Sequence, residues 1–247
     1  MKERVEQRVL GAIRWTDAVT QSVIAHPLRV RSAKASFTRN LSGLSVIIAA
    51  TGLEKYTETF VLPTPPAADV EPAVPIDLEG TVEDPSGRYL PRAFNVKLPR
   101  RATKDVADSL FVPIDLQLLP TPQAKIPAGW AQVRVTVKKA TGEDFPNVLV
   151  RVVAKADNRV LGHGMSDARG DALVGIPGLP LFQPSAADDE IVTSETAAGV
   201  EFVPPDSSEE VVDWTALDKK TAKPVPFGSP LALKAGGTYS LKFSVTT

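Results

Sequence analysis

Apolar and polar residues alternate one for one along several short runs of this chain, the period of a half-buried β-strand. Leu28-Arg29-Val30-Arg31, Phe94-Asn95-Val96-Lys97-Leu98, Val133-Arg134-Val135-Thr136-Val137 and Tyr239-Ser240-Leu241-Lys242-Phe243-Ser244-Val245 all follow it. Leu44 to Ile48 is nearly all apolar and predicts a largely buried strand. Tyr56 to Leu62 predicts another, stopped by Pro63, Pro65 and Pro66. Val5 to Trp15 fits a short helix or a first strand, and its Gly11 and its Val, Ile and Trp content favour the strand.

Turn signals separate these runs, and their order repeats. Asp17-Ala18-Val19-Thr20, Pro27 to Val30, Asn40-Leu41-Ser42-Gly43 and Gly52-Leu53 match Lys139-Ala140-Thr141-Gly142, Val148 to Val152, Asp167-Ala168-Arg169-Gly170 and Gly178-Leu179. A pentapeptide also recurs, Val74-Pro75-Ile76-Asp77-Leu78 as Val112-Pro113-Ile114-Asp115-Leu116, with proline where a strand begins and its missing N–H costs little. Asp84-Pro85-Ser86-Gly87 is a further turn. The repeat predicts two β-sandwich modules. Residues 63–75, rich in Pro and Ala, predict a stiff extended crossing in the first. Pro120 to Gly129 carries three prolines and no period, which places the boundary there. The modules are then 1–120 and 121–247, the second with an acidic insertion near 183–226.

The 247 residues suit two ordinary domains, and 43% hydrophobic content suffices for a core. The 22 prolines argue against long helices. With no cysteine there are no disulfides, thiolate metal sites or cysteine nucleophiles, which fits assembly in a reducing cytoplasm. The charged N-terminus lacks the apolar core of a signal peptide, and no apolar window reaches the length of a membrane span. A net charge of −1 gives no general attraction to nucleic acid. Locally the charge is uneven. Residues 1–40 hold eight Lys or Arg against three acids, and residues 188–213 hold nine acids and no base. Either these are two solvated surfaces, or opposite faces of neighbouring copies meet. The candidate partner contacts are Arg29, Arg31, Arg100 and Arg101 against Asp188, Asp189, Glu190, Glu209 and Glu210.

Candidate chemistry is sparse. Of two histidines, His26 precedes Pro27 in a turn and His163 sits in Gly162-His163-Gly164. Ser166 and Asp167 are near His163 along the chain, but neighbours on a strand point to opposite faces, which argues against a triad. Asp188-Asp189-Glu190 lacks the spacing of a calcium loop. Arg92, Lys97, Arg100, Arg101 and Lys104 form a basic cluster without interleaved aromatics, so no nucleic-acid site is expected. Trp15, Trp130 and Trp214 are candidate core anchors. No cofactor, metal or enzymatic activity is expected.

Two resemblances add to this. From Ala131 to Leu179 the chain resembles carboxypeptidase regulatory-like domains, on Lys139-Ala140-Thr141-Gly142, the Val148 to Val152 run and Ser166-Asp167-Ala168-Arg169-Gly170 leading into Ala172-Leu173-Val174. That implies an all-β fold of two tandem Ig-like or transthyretin-like β-sandwich modules with Pro-rich connections, and no peptidase activity. Asp84-Pro85-Ser86-Gly87-Arg88-Tyr89-Leu90-Pro91-Arg92, followed by Phe94 to Arg100, resembles proteins of phage-tail-like contractile injection systems. The resemblance implies a structural subunit, as a cap-end component or adaptor, with cap, sheath or tube proteins as neighbours and a homo-oligomeric ring of six. It would assemble in the cytoplasm into a particle that is released or stays intracellular. The alternative expectation is a surface adhesin or carbohydrate-binding tandem sandwich.

Overall fold

Strands dominate the computed structural model, which describes residues 9–54, 75–101, 103–184, 191–205, 211–225 and 230–245. The chain is all-β, in tandem β-sandwich modules. It divides into two compact units: Met1–Thr16, Ser22–Pro85 and Pro91–Gln117, then Asp17–Gln21, Ser86–Leu90 and Leu118–Thr247. Pro120 to Gly129 therefore lies inside the second unit, and the main boundary falls within the last strand of the first sandwich. A cut at residue 120 also leaves Asp17–Gln21 and Ser86–Leu90 on the other side.

In the first unit one sheet runs β3 (Ala35–Arg39), β4 (Ser45–Ala50), β1 (Gly11–Asp17), β7 (Ile114–Leu118). The facing sheet runs β2 (Arg29–Arg31), β5 (Ile76–Glu83), β6 (Arg92–Leu98). Alternation decides which side chains go inside. Ile13, Trp15 and Ile47 of the first sheet are buried with Leu78, Val82, Phe94, Val96 and Leu98 of the second. The Trp15 ring meets Phe94 edge-on with centroids 5.6 Å apart, and its indole N–H donates to Ser45 Oγ at 2.9 Å. A buried tryptophan needs such a partner for its one polar atom. Both pentapeptide prolines stand directly before their strands, at Ile76 and Ile114.

In the second unit one sheet runs β11 (Asp171–Ile176), β8 (Ala131–Lys139), β17 (Thr238–Val245), with β17 parallel to β8. The other runs β10 (Val160–Met165), β9 (Leu149–Ala154), β14 (Thr196–Val203), β15 (Lys223–Pro224), and β16 (Leu231–Leu233) also pairs with β14. Val133, Val135, Val137, Val150, Val152, Val174, Ile176, Val200 and Phe202 fill the space between the sheets. A second core lies on the outer side of the β9 sheet. There Leu149, Met165 and Val203 pack with Leu90, Leu119, Trp214 and Leu217, under the single helical turn α1 (Trp214–Leu217). All six residues of β9 are buried because this strand has a core on each face, which is why Leu149 to Ala154 is nearly all apolar. β12 (Phe182–Pro184) and β13 (Ile191–Thr193) form a separate hairpin.

One sequence expectation changes, and two lie outside the described residues. The segment taken as an acidic insertion supplies β14, paired with β9 over six positions from Ala198 opposite Ala154 to Val203 opposite Leu149. Its alternation, Ala198, Val200 and Phe202 against Gly199 and Glu201, is masked by small residues and by flanking acids and prolines. The expected strand at Tyr56 to Leu62 and the crossing at 63–74 lie outside the described residues.

Two glycines at positive φ allow a test of how closely the second unit packs. Gly142 (φ +89°) has nothing within 4 Å of where a Cβ would stand, whereas a Cβ on Gly170 (φ +77°) would lie 2.3 Å from the Val137 carbonyl oxygen. Gly142→Ala should cost about 1 kcal/mol, from backbone strain alone. Gly170→Ala should cost about 3 kcal/mol, because overpacking adds to the strain. Urea unfolding of the two variants measures the difference.

Candidate functional site

The basic side chains picked out as partner contacts do not gather into one site. Arg29 on β2 reaches Glu83 on the adjacent β5 at 3.3 Å. Arg31 is exposed on the same short strand. Arg100 donates to the Ala107 carbonyl at 2.9 Å, and Arg101 donates from Nε to Asp108 at 2.7 Å. The Arg101 hydrogen bond holds the Asp108 carboxyl below its usual range. Arg29, Arg100 and Arg101 thus already have partners within the first unit, and exposed pairs of this kind add little stability. Asp188, Asp189, Glu190, Glu209 and Glu210 lie outside the described residues.

A polar cluster lies in the second unit, on the outer face of the β9 sheet. Antiparallel pairing sets His163 on β10 directly opposite Arg151 on β9, and Arg151 opposite Glu201 on β14. Asp213 caps α1 by accepting from the Thr215 N–H and hydroxyl. The turn then carries Asp218, at its far end, over the sheet. Asp218 Oδ1 accepts from Arg151 Nε at 2.7 Å and lies 3.0 Å from His163 Nε2. Arg151 also donates to the carbonyls of Asp218 and Lys220. The His163 ring leans on Trp214, centroids 5.6 Å apart. Burial pushes the His163 imidazole below its ordinary value, against the opposing pull of Asp218. The neutral ring then donates its Nε2–H to Asp218 in a hydrogen bond, leaving Nδ1 as its acceptor.

An imidazole, a carboxylate and an arginine in contact resemble part of a hydrolytic site, but the hydroxyl nearest in sequence is committed elsewhere. Ser166 is buried, donates to the Phe145 carbonyl at 2.7 Å and accepts from the Val148 N–H at 2.9 Å. Asp167 accepts from the Arg169 and Asp171 N–H groups in its own turn. The cluster clamps α1 to the sheet and covers the outer core. Nothing along the chain linked Asp218 to His163, 55 residues away. Trp15 and Trp214 are buried as core anchors, and Trp130 is half-buried.

A pocket of about 500 Å³ opens elsewhere on the second unit, lined by Asp17, Arg88, Tyr89, Thr121 and Lys125 among others. Asp17 there accepts from the N–H groups of Val19 and Thr20 and from the Tyr89 hydroxyl. These bonds hold the turn in place and engage both oxygens of the carboxylate. Arg88 and Lys125 stand exposed at its rim. Among the described residues, no three His, Cys, Asp or Glu side chains converge as metal ligands, and no helix is long and apolar enough to cross a membrane.

No family model matches this chain, and no curated protein matches its sequence. Several solved structures overlap it, among them the following three at low TM-scores. The Bacillus anthracis TIE protein is 9% identical, with 97% of this chain and 34% of that one covered at a TM-score of 0.28. A variant of BcpA, the major pilin subunit of Bacillus cereus, is 8% identical over 88% of this chain and 54% of its own, TM-score 0.25. A variant of the shaft pilin SpaA from Lactobacillus rhamnosus GG is 13% identical over 68% and 65%, TM-score 0.19. The chain spans about a third of the TIE protein and about half of BcpA. Overlaps at these scores carry no statement about function.

The cluster predicts two effects. An unfolded chain takes up a proton on His163 near the ordinary histidine value, while the folded chain resists until lower pH. Stability should therefore hold above about pH 6.5 and fall as pH drops through the folded value, and His163→Gln should flatten this slope. Denaturant midpoints from pH 7.5 to pH 5 measure both. Asp218→Asn should cost about 2 kcal/mol in the same assay, since it leaves Arg151, largely buried, without its counter-charge.

Proposed function

We propose that this chain is a non-enzymatic structural subunit of a contractile tail-like injection particle, a cap-end component or adaptor that acts through protein–protein contacts. The proposal starts from the resemblance of the Asp84 to Arg100 stretch. The observation that carries it further is where large apolar side chains stand in solvent. Leu41 tips the β3–β4 turn, Phe111 and Val112 lie in the loop before β7, and Leu181 and Phe182 open the β12–β13 hairpin. Phe111, Leu181 and Phe182 are each 60% exposed or more. Single exposed apolar residues are ordinary on protein surfaces, but adjacent pairs on projecting loops fit sites that a neighbour covers. In the particle these loops would dock on cap, sheath or tube subunits, in six copies if the symmetry is sixfold, after assembly in the cytoplasm.

The test is affinity purification of the tagged protein from its own cells, with mass spectrometry and negative-stain microscopy. Tubular particles containing sheath and tube proteins are expected. The double variant Leu181→Ser/Phe182→Ser should stay folded, with stability within about 0.5 kcal/mol, yet lose those partners. Recovery of the unaltered protein without any large assembly would refute the proposal and turn attention to surface glycans as ligands.

A further inference from the structure

The second unit's sandwich is closed along one side and open along the other. On the closed side, β10 lies directly on β11. A Cβ on Gly164 would stand 2.4 Å from the Leu173 carbonyl oxygen, and one on Gly162 would stand 2.6 Å from that of Gly175. On the other side β17 ends its sheet, and no described strand pairs with its outer edge. Gln132 N–H donates to the Gly237 carbonyl, and Ala140 N–H donates to that of Val245. The pairing with β8 runs without a break from Thr238 to Val245. A strand turns its backbone groups alternately to either side, so the odd-numbered residues face β8. The N–H and C=O groups of Thr238, Ser240, Lys242 and Ser244 therefore point out along the open edge.

The side chains at this edge are also half covered. Tyr239, Leu241 and Phe243 pack on the core from one side and keep part of their surface exposed, as does Leu231 on β16. Natural sheets protect such edges with prolines, bulges or several charges. Here the edge has neither a proline nor a bulge, and Lys242 is its one charged residue. An added extended strand can replace the water on such a row of open backbone groups with a continuous ladder of hydrogen bonds.

The geometry points to the β17 edge as a two-fold interface with a second copy of this chain, in which β17 pairs antiparallel with its symmetry mate about Leu241. In that register every outward residue meets an outward residue, Thr238 with the partner's Ser244 and Ser240 with the partner's Lys242. All the open donors and acceptors are used. On the core side Tyr239 lies opposite the partner's Phe243, an aromatic cross-strand pair, and Leu241 lies opposite its own copy. The one charge faces a serine, so no like charges are opposed. Two three-stranded sheets become one sheet of six, and the half-covered apolar strip continues across the axis. An isologous contact of this kind closes as a dimer and does not by itself build a ring. It stands independently of the proposed particle.

The register can be tested in this 247-residue chain, which has no cysteine. Directly opposed residues of the non-hydrogen-bonded kind have Cα atoms about 4.5 Å apart, within disulfide reach. L241C should therefore cross-link to a covalent dimer under mild oxidation, whereas Y239C, whose opposite number is Phe243, should not. Sedimentation equilibrium of the unaltered chain should show a monomer–dimer equilibrium. Ser240→Pro removes one outward N–H and leaves the bonds to β8 intact, so it should weaken the dimer by about tenfold or more while circular dichroism stays unchanged. A chain that is monomeric at every concentration, or equal cross-linking of L241C and Y239C, overturns the inference. So does a dimer that Ser240→Pro leaves unaffected.

Discussion

Gly162 and Gly164 lie against the carbonyls of Gly175 and Leu173 and the Val174 side chain, so neither position has room for a side chain of its own. Much of that unit follows from this approach. It brings β10 onto β11, so the sandwich closes there with backbone and the Val174 side chain against the two glycines. Bulk is displaced to the far side, where Phe202 and Phe243 stack with centroids 5.6 Å apart. The same asymmetry leaves β17 at the margin, its inner side chains anchored in the core and its outer backbone unpaired. A methyl group on either glycine would push the sheets apart, and densely packed interiors resist such shifts.

β9 is the second organising element, because it serves two cores. Val150 and Val152 face the space between the sheets, while Leu149 and Arg151 face outward beneath α1. An arginine on a face otherwise covered by Leu, Met and Trp side chains needs its charge and its donors satisfied. Asp218 and two backbone carbonyls supply this, with His163 filling the remaining side. The cluster ties α1 to the sheet through contacts that hold Arg151 and one nitrogen of His163.

The first unit reaches a similar sandwich by another packing. Phe94 is the hinge point of its core, touching Trp15 edge-on and Phe37 in the same manner. Phe94 lies over Gly80, its cross-strand partner, where a Cβ would come within 2.5 Å of the ring. An aromatic ring over a glycine on a neighbouring strand fills the core without a side chain from that position.

Local pattern alone determined the all-β class and the places of β4, β6, β8 and β17, because period-two alternation and bounding Gly and Pro residues act over a few residues. The turns at Asn40 to Gly43 and Asp167 to Gly170 were legible for the same reason, through residues that tolerate positive φ or accept backbone hydrogen bonds. β14 was not legible, because its small residues and acidic flanks hide an alternation that matters only once β9 lies beside it. The pairing of His163 with Asp218 and of Arg29 with Glu83 depends on contacts between strands and loops more than fifty residues apart, while Arg100 and Arg101 find their partners seven residues on, in a loop with no regular pattern to announce it. Which edge of the sandwich closes and which stays open was likewise decided only by tertiary structure. The chain writes Gly162 and Gly164 in one place and the carbonyls they meet in another, and only folding brings the two together.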